Sequence, residues 1–391
     1  MAWMIREDQL DPDQREFINV ELKKSGNIWV KGFVGTGKSV LLVHSLKEVL
    51  NKNPQAKVAV VVYTHSLIDM FKTGMKELNI PSTVPVMTYY QFVDKDINHY
   101  DYVFCDDVQD LPNKVLYAMQ KKADKVIVAG DSNQSIYDED PRWYEKVVNP
   151  DQVGDIINAR TFNLNMIHRL PDSIITAVQK LIPSMNIWRA KRYLTKQDVQ
   201  IRLCEATSEN EEVKYVYSEA LKGTNIGDTS AILFPQLDYV TKFVNLVLST
   251  NNQSSWIEKT NNFGKLDFAS LNSHLRNNGI KLQFVGGGYG SLDDAQQNKE
   301  AILMTYYSSR GFGFDNVFLP FLNNNFYLHP NKATAVFIVA MTRSRKNLYL
   351  TYFGYTHSLV DKFKGDCTQI KIADILNPGP KTNNNSNPFD F

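Results

Sequence analysis

The chain has 391 residues, 43% of them hydrophobic and 22% charged, which is room for two or three domains with real cores. Lys+Arg 43 against Asp+Glu 42 leaves a formal charge of +1, which excludes a basic tail protein and an acidic disordered one but allows a local basic groove. Cys105, Cys204 and Cys367 lie far apart and suggest neither a disulfide framework nor a zinc cluster. Met1–Leu10 carries Arg6, Glu7 and Asp8 without an apolar h-region, and apolar stretches such as Val58–Tyr63 and Val336–Met341 are only strand-sized. The expectation is a reducing, cytoplasmic setting and no membrane span.

Short apolar runs rich in β-branched residues recur in chain order at Ile28–Lys31, Val58–Tyr63, Tyr102–Cys105 and Lys125–Ala129. A second group follows at Ser230–Phe234, Lys281–Val285, Ala301–Thr305, Asn316–Pro320 and Asn347–Thr351. Continuous Val/Ile/Leu runs of this length fit parallel strands buried on both faces. They alternate with amphipathic stretches such as Val40–Leu50 and Asn210–Leu221, which predicts βαβ units and an α/β class with mainly parallel sheets. The two groups divide near Asn149–Asn165. Asn251–Leu266 is polar and Asn-rich, Gly286–Gly290 reads as a loop or tight hairpin, and the Pro/Asn/Ser-rich tail from Asn377 reads as disordered.

The most informative segment follows the first run. Gly32-Phe-Val-Gly35-Thr-Gly37-Lys38-Ser39 is G-x-x-x-x-G-K-[ST] between a strand and a helix, the context that a phosphate-binding loop requires. Its glycines let backbone N–H groups point at phosphates, and the helix N-terminus adds positive partial charge. Lys38 brings a cation to the β- and γ-phosphates, and the Ser39 hydroxyl is a Mg²⁺ ligand. Asp101–Asp110, DYVFCDDVQD, supplies carboxylates at a strand's C-terminal end. Asp106 is the candidate second metal ligand, and Asp107 the candidate for orienting the attacking water.

From here the residues resemble superfamily 1 helicases of the UvrD/Rep kind, in the family's order. Leu10-Asp-Pro-Asp-Gln14 resembles the adenine-reading Q motif, since a Gln amide can pair with adenine N6 and N7. Tyr63-Thr64-His65 and Thr88-Tyr89-Tyr90-Gln91-Phe92 are similar to two nucleic-acid segments. Asp106–Asp110 is similar to DEAQD, and Gly130-Asp131-Ser-Asn-Gln134-Ser-Ile-Tyr137 to GDxxQSIY. His168-Arg169 stands where the family has Tyr-Arg. Thr305-Tyr-Tyr307-Ser-Ser-Arg310-Gly311-Phe-Gly313-Phe-Asp315 resembles TxHxxKGxEFD, and Val339-Ala-Met-Thr342-Arg343-Ser-Arg345 resembles VAxTRAx, read here as following an apolar strand.

The resemblance implies two tandem RecA-like lobes, 1–160 and 161–376, with 377–391 as a tail. It implies ATP and Mg²⁺ in the cleft between the lobes, held by Gln14, Gly35, Thr36, Gly37, Lys38, Ser39, Val40, His168 and Gly311. Catalysis would fall to Lys38, Asp106, Asp107, Gln134, Arg169 and Arg343, the two arginines stabilising charge that develops on the γ-phosphoryl group. Single-stranded nucleic acid, DNA in the first instance and RNA as the alternative, would be gripped by aromatic platforms and hydroxyls. The candidates are Tyr63, Thr64, His65, Thr88, Tyr89, Tyr137 and Trp143, with Thr305 and Tyr307 from the second lobe. The implied activity is an ATP-driven helicase or translocase, with a protein partner supplying specificity or unwinding. Three departures stand out: Asp107 in place of Glu, Gly313 in place of the ribose-binding Glu, and a chain too short for the large inserted domains. Asp107 and Gly313 also support a second reading, a nucleotide-gated binding switch that has lost its motor activity.

Overall fold

The computed structural model describes residues 4–131, 135, 137–140, 142–168, 170–183, 191–192, 198–261, 264–330 and 332–377. The chain divides into two compact units, one of Met1–Asp198, Arg310–Phe312 and Leu328–Arg345, the other of Val199–Ser309, Gly313–Tyr327 and Lys346–Phe391.

The first unit is built on β1 (Asn27–Gly32), β2 (Val58–Val62), β3 (Val86–Thr88), β4 (Tyr100–Cys105), β5 (Ala123–Gly130) and β6 (Ala159–Leu164). They form a six-stranded sheet in the order β3-β2-β4-β5-β1-β6, parallel at every pairing. All five residues of β2 are buried, as a VAVVV run covered on both faces must be. The helix Lys38–Lys52 buries Leu41, Leu42, Val43, Leu46 and Val49, each contributing roughly 1.5–3 kcal/mol by leaving water. Because the strands run parallel, their C-terminal ends share one edge of the sheet. That edge receives the phosphate loop after β1, Tyr63 after β2, Tyr89 after β3, Asp106 after β4, Asp131 after β5 and His168 shortly after β6.

A short parallel pair, β7 (Met166–Ile167) with β8 (Lys191–Arg192), follows. The second unit's sheet comprises β9 (Gln200–Ala206), β10 (Ser230–Phe234), β11 (Leu282–Phe284), β12 (Ala301–Thr305), β13 (Phe314–Leu319), β14 (Ser344–Phe353) and β15 (Thr368–Lys371). The order is β11-β12-β10-β13-β14-β9-β15, parallel where β12 meets β10 and β11, where β13 meets β10, and where β9 meets β14 and β15. The fold is α/β with two mainly parallel sheets, as expected.

Several elements differ from the sequence reading. The apolar run before Arg343 is a helix, Ala333–Met341, and not a strand; Val336–Met341 are all buried, and a helix buried on every side shows no polar face to betray its period. β6 pairs with β1 from Asn27↔Ala159 to Gly32↔Leu164, so the first sheet runs through the expected 160/161 division. Its exposed Arg160, Thr161 and Asn163 leave it without the apolar run that marks the other strands. The polar segment Asn251–Leu266 is anchored by buried Trp256, whose N–H donates to Asn245 Oδ1 (2.8 Å) and whose indole N–H donates to Ser270 Oγ (3.1 Å). Gly286 and Tyr289 exchange backbone hydrogen bonds of 3.0 Å, so the glycine run is a tight hairpin-like turn. The tail beyond 377 lies outside the described residues. Among the described residues no helix is long and apolar enough to cross a membrane.

Candidate functional site

The phosphate loop leaves β1 at Gly32, where an added Cβ would lie 2.4 Å from Thr36 Oγ1 and 3.2 Å from Leu164 Cβ. Gly35 (φ +83) and Gly37 (φ +79) occupy the left-handed region that side chains disfavour. Lys38 opens the following helix, and its Nζ donates to Gly32 O (2.8 Å) and Phe33 O (3.2 Å), so the cation lies over the loop. Val40 is half-buried in the helix's first turn.

Ser39 Oγ donates to Asp106 Oδ2, joining the two expected metal ligands across 67 residues of sequence. Asp106 is 2% exposed; burial and then the adjacent Asp107 carboxylate push its carboxyl up to about 6, against Ser39 and Lys38. Burial would raise Asp107 too, but Arg310 and then Lys38 override it and hold Asp107 below the usual carboxylate range. Arg310 donates from one guanidinium nitrogen to Asp107 Oδ1 (3.1 Å) and from the other to Asp110 Oδ2. Gln109 bridges Asp107 to the end of β5: its Nε2 donates to Asp107 Oδ1 (3.3 Å) and its Oε1 accepts from Asp131 N (3.1 Å). Gly130 is glycine because a Cβ there would meet Gln109 Oε1 at 2.2 Å and the Trp29 ring at 2.8 Å.

Arg343 is 2% exposed, with Nε on Val339 O (2.8 Å), one terminal nitrogen on Phe312 O (3.2 Å) and the other on Thr342 Oγ1 (3.0 Å). It also contributes to lowering Asp107, so two buried guanidinium groups bear on one carboxylate. Gly311 (φ +83) faces Leu67, 2.9 Å from an added Cβ. Gln14 and His168 both border Gly37, the amide nitrogen at 2.5 Å and the imidazole Cδ2 at 3.9 Å from a Cβ placed there.

Beyond β2 and β3 the expected nucleic-acid residues form one aromatic cluster. Tyr63 stacks on Tyr89 (5.3 Å, 14°) and on Tyr137 (4.9 Å, 28°), and Tyr89 meets Trp143 edge-on (5.4 Å, 83°). Tyr90 extends it to His65, with which it hydrogen-bonds. Tyr63 and Tyr89 are buried, and burial raises both phenols. They form the floor of the cluster, while Tyr90, Tyr137 and Trp143 are half-buried and His65 is exposed. Lys114 Nζ lies 3.5 Å from the centre of the Trp143 ring, and the Arg142 guanidinium 4.2 Å from that of Tyr90. Asp140 fastens the arrangement, accepting from Tyr89 OH, Arg142 N (3.0 Å) and Trp143 N (2.7 Å).

Not every expected residue joins the site. Thr88 is buried at the N-cap position of the helix Tyr89–Asp94, where its backbone N–H and its hydroxyl both donate to Gln91 Oε1 (3.0 Å each), away from any surface. Thr64, half-buried, precedes the helix His65–Glu77. Thr305 and Tyr307 lie in the second unit, as expected of them, and there Thr305 Oγ1 and Ser308 Oγ share a hydrogen bond of 2.8 Å. Gln134 and Arg169 lie outside the described residues. Arg310, Tyr90, Asp140 and Lys114 were missed as site residues. Arg310 had a signal, being the basic residue of the Thr305–Asp315 motif; Asp140 had none.

Among the described residues no group of three or more His, Cys, Asp or Glu side chains has metal-binding geometry. The paired Ser39 hydroxyl and Asp106 carboxylate are hard oxygen donors of the kind Mg²⁺ takes when phosphates complete its shell, so the residues fit that ion.

Residues 28–174 match the family model described as the viral superfamily 1 RNA helicase core domain. The ATP-dependent DNA helicase PcrA of Staphylococcus aureus is 24% identical over 324 residues, 73% of this chain and 43% of that protein. PcrA of Staphylococcus epidermidis is 25% identical over 241 residues, 56% of this chain and 32% of that protein. These matches support a superfamily 1 helicase. The chain spans less than half the length of those curated relatives (32% and 43%). The crystal structure of Arterivirus nonstructural protein 10 (helicase) aligns with 88% of this chain and 62% of its own, at 13% identity and a TM-score of 0.46.

Proposed function

We propose that this superfamily 1 chain hydrolyses ATP with Mg²⁺ and uses the hydrolysis to move along single-stranded DNA, as a UvrD/Rep-like motor without large inserted domains. One observation carries the reading: the Ser39–Asp106 hydrogen bond brings the phosphate loop's metal ligand onto the carboxylate that ends β4. Lys38 and the loop amides bind the phosphates, and Ser39 with Asp106 holds the ion. Bound Mg²⁺ supplies the positive charge that offsets the phosphoryl oxygens. Asp107 orients the attacking water, kept ionised for that task by Arg310. Arg343, with Gln134 and Arg169 from the same motif set, stabilises charge on the transferring group. The aromatic cluster at the same sheet edge holds the strand by stacking, and a partner protein supplies specificity or unwinding.

Lys38→Ala is expected to lower Mg²⁺-dependent ATP hydrolysis by about 10²-fold or more, measured as phosphate release. Wild-type turnover in Lys38→Ala would remove the phosphate loop from the reaction. Tight ATP binding without turnover in the wild type would favour the switch reading.

A further inference from the structure

Asp107 is clamped on one oxygen and open on the other. Its Oδ1 accepts from the Arg310 guanidinium (3.1 Å) and from Gln109 Nε2 (3.3 Å), which together occupy the lone pairs of that atom. Among the described residues these are the side chains that donate to the carboxylate, and neither bonds Oδ2. The clamp is itself fixed, because the other terminal nitrogen of Arg310 is held by the fully buried Asp110. The side chains of Arg310 and Asp107 are 8% and 15% exposed, so little water competes for the contact. The backbone at Asp107 lies in the left-handed region (φ +55, ψ 39), where Asp is among the more frequent side chains, and its N donates to Asp106 Oδ1 (3.0 Å).

A carboxylate with one oxygen saturated and the other free offers an acceptor in one direction, which is what orienting an attacking water requires. That direction depends on side-chain length. A Glu here would carry one more methylene, about 1.5 Å of extra chain. Held by the same guanidinium, it would have to fold back or push its carboxylate past the fork, and either way the free oxygen would leave the place of Oδ2. The segment Thr305–Asp315 resembles a motif with Lys where this chain has Arg310, and Asp106–Asp110 resembles one with Glu where it has Asp107. The two departures meet in one hydrogen bond: the acid is shorter by a methylene, and the base ends in a planar fork that serves two acceptors.

We infer that Arg310 is a positioning residue matched in length to Asp107, so that in this chain an Asp/Arg pair does the work of a Glu/Lys pair. On this account Asp107 is no mark of lost turnover. The inference rests on the reading that Asp107 orients the water that attacks ATP.

The test is a double-mutant cycle on the full chain with Asp107→Glu, Arg310→Lys and the two combined. It reads kcat and KM from phosphate release with ATP and Mg²⁺, the affinity for a fluorescent non-hydrolysable ATP analogue, and Tm. Each substitution alone is expected to lower kcat by about tenfold or more and to leave KM and analogue affinity within about threefold, since Lys38 and the loop still hold the phosphates. The combined variant is expected to return to within about threefold of wild-type kcat, where independent sites would give a loss of about a hundredfold. Its Tm is expected to stay below wild type, because an ammonium lacks the fork that serves both carboxylates. Recovered kcat at a lowered Tm is a result that a merely structural Arg310 would not give. Asp107→Glu turning over faster than wild type overturns the inference and leaves the hydrolysis reading standing, as does a combined variant no better than the product of its parts. A wild type that binds the analogue and releases no phosphate overturns both. Should Arg310→Lys fail to fold, the sign of the change in Asp107→Glu still decides.

Discussion

At Asp107, burial favours the neutral acid and loses to two cations: Arg310 in direct contact and Lys38 nearby. Arg310 also closes on Asp110, which is fully buried. Arg310→Met would leave both carboxylates inside the protein without their cation. The expected cost is about 3–5 kcal/mol, seen as a lowered Tm together with loss of hydrolysis. An unchanged Tm would mean that the pair carries no structural weight. Gly130→Ala is expected to destabilise as well, because the new Cβ would fall 2.2 Å from Gln109 Oε1 and 2.8 Å from Trp29; a wild-type melting curve would contradict it. At this scale the sequence revealed residue types better than roles. Ser39 and Asp106 were legible because phosphate and metal demand a loop and a strand-end carboxylate. Arg310 was visible in its motif, but its partners lie 200 and 203 residues away and only folding brings them together.

Among the elements, the aromatic cluster divides its work by depth. Tyr63 and Tyr89 are buried floor, so Tyr63→Ala should behave as a core deletion, lowering Tm. Trp143→Ala removes a half-buried ring and should weaken single-strand binding by about 1–3 kcal/mol, with a smaller effect on Tm, measured by fluorescence anisotropy. Wild-type affinity in Trp143→Ala would move the strand's path off this cluster.

In the second unit, Glu212 ties the helix Glu209–Asn225 to the ends of two strands, its Oε1 accepting from Phe321 N and Thr351 Oγ1 (both 2.6 Å). Phe321 needs that anchor, since a bulky residue at φ +66 is disfavoured. Burial pushes the Glu212 carboxyl up to about 7 from its ordinary 4.5, against both hydrogen bonds. Below pH 4.5 folded and unfolded chains both hold the proton, and the full contribution is present. As pH rises towards 7 the unfolded chain releases the proton first, so stability falls across that window and is flat above it. Glu212→Gln should erase this slope in a Tm-against-pH series; an unchanged slope would assign it to other groups.

Elements were legible where burial is two-sided, as in β2 and β10, whose residues are all buried. They were lost where an edge strand carries polar side chains, as in β6, and mistyped where a fully buried helix, Ala333–Met341, matches a strand in composition.

For the whole molecule, the ordered motifs were legible because each serves a chemical need that fixes residue type and spacing. Tertiary assignment was less so: residues 328–345, late in the sequence, pack into the first unit. The balanced charge fits a strand held by stacked rings, with Lys114 and Arg142 as local cations, better than a broad basic face. Such binding should tolerate sequence and depend only shallowly on salt, with a slope of log affinity against log salt of about −0.7 for each phosphate neutralised. A steep slope, corresponding to many phosphates, would point to a basic surface instead. In the proposed function, nucleotide hydrolysis at the phosphate loop is coupled to a single strand. Its most direct measurement is the rate of ATP hydrolysis with and without single-stranded DNA, with RNA and duplex as comparisons and Lys38→Ala as control. Coupling predicts a rate raised several-fold by the single strand and lost in Lys38→Ala; equal rates with and without nucleic acid would contradict it.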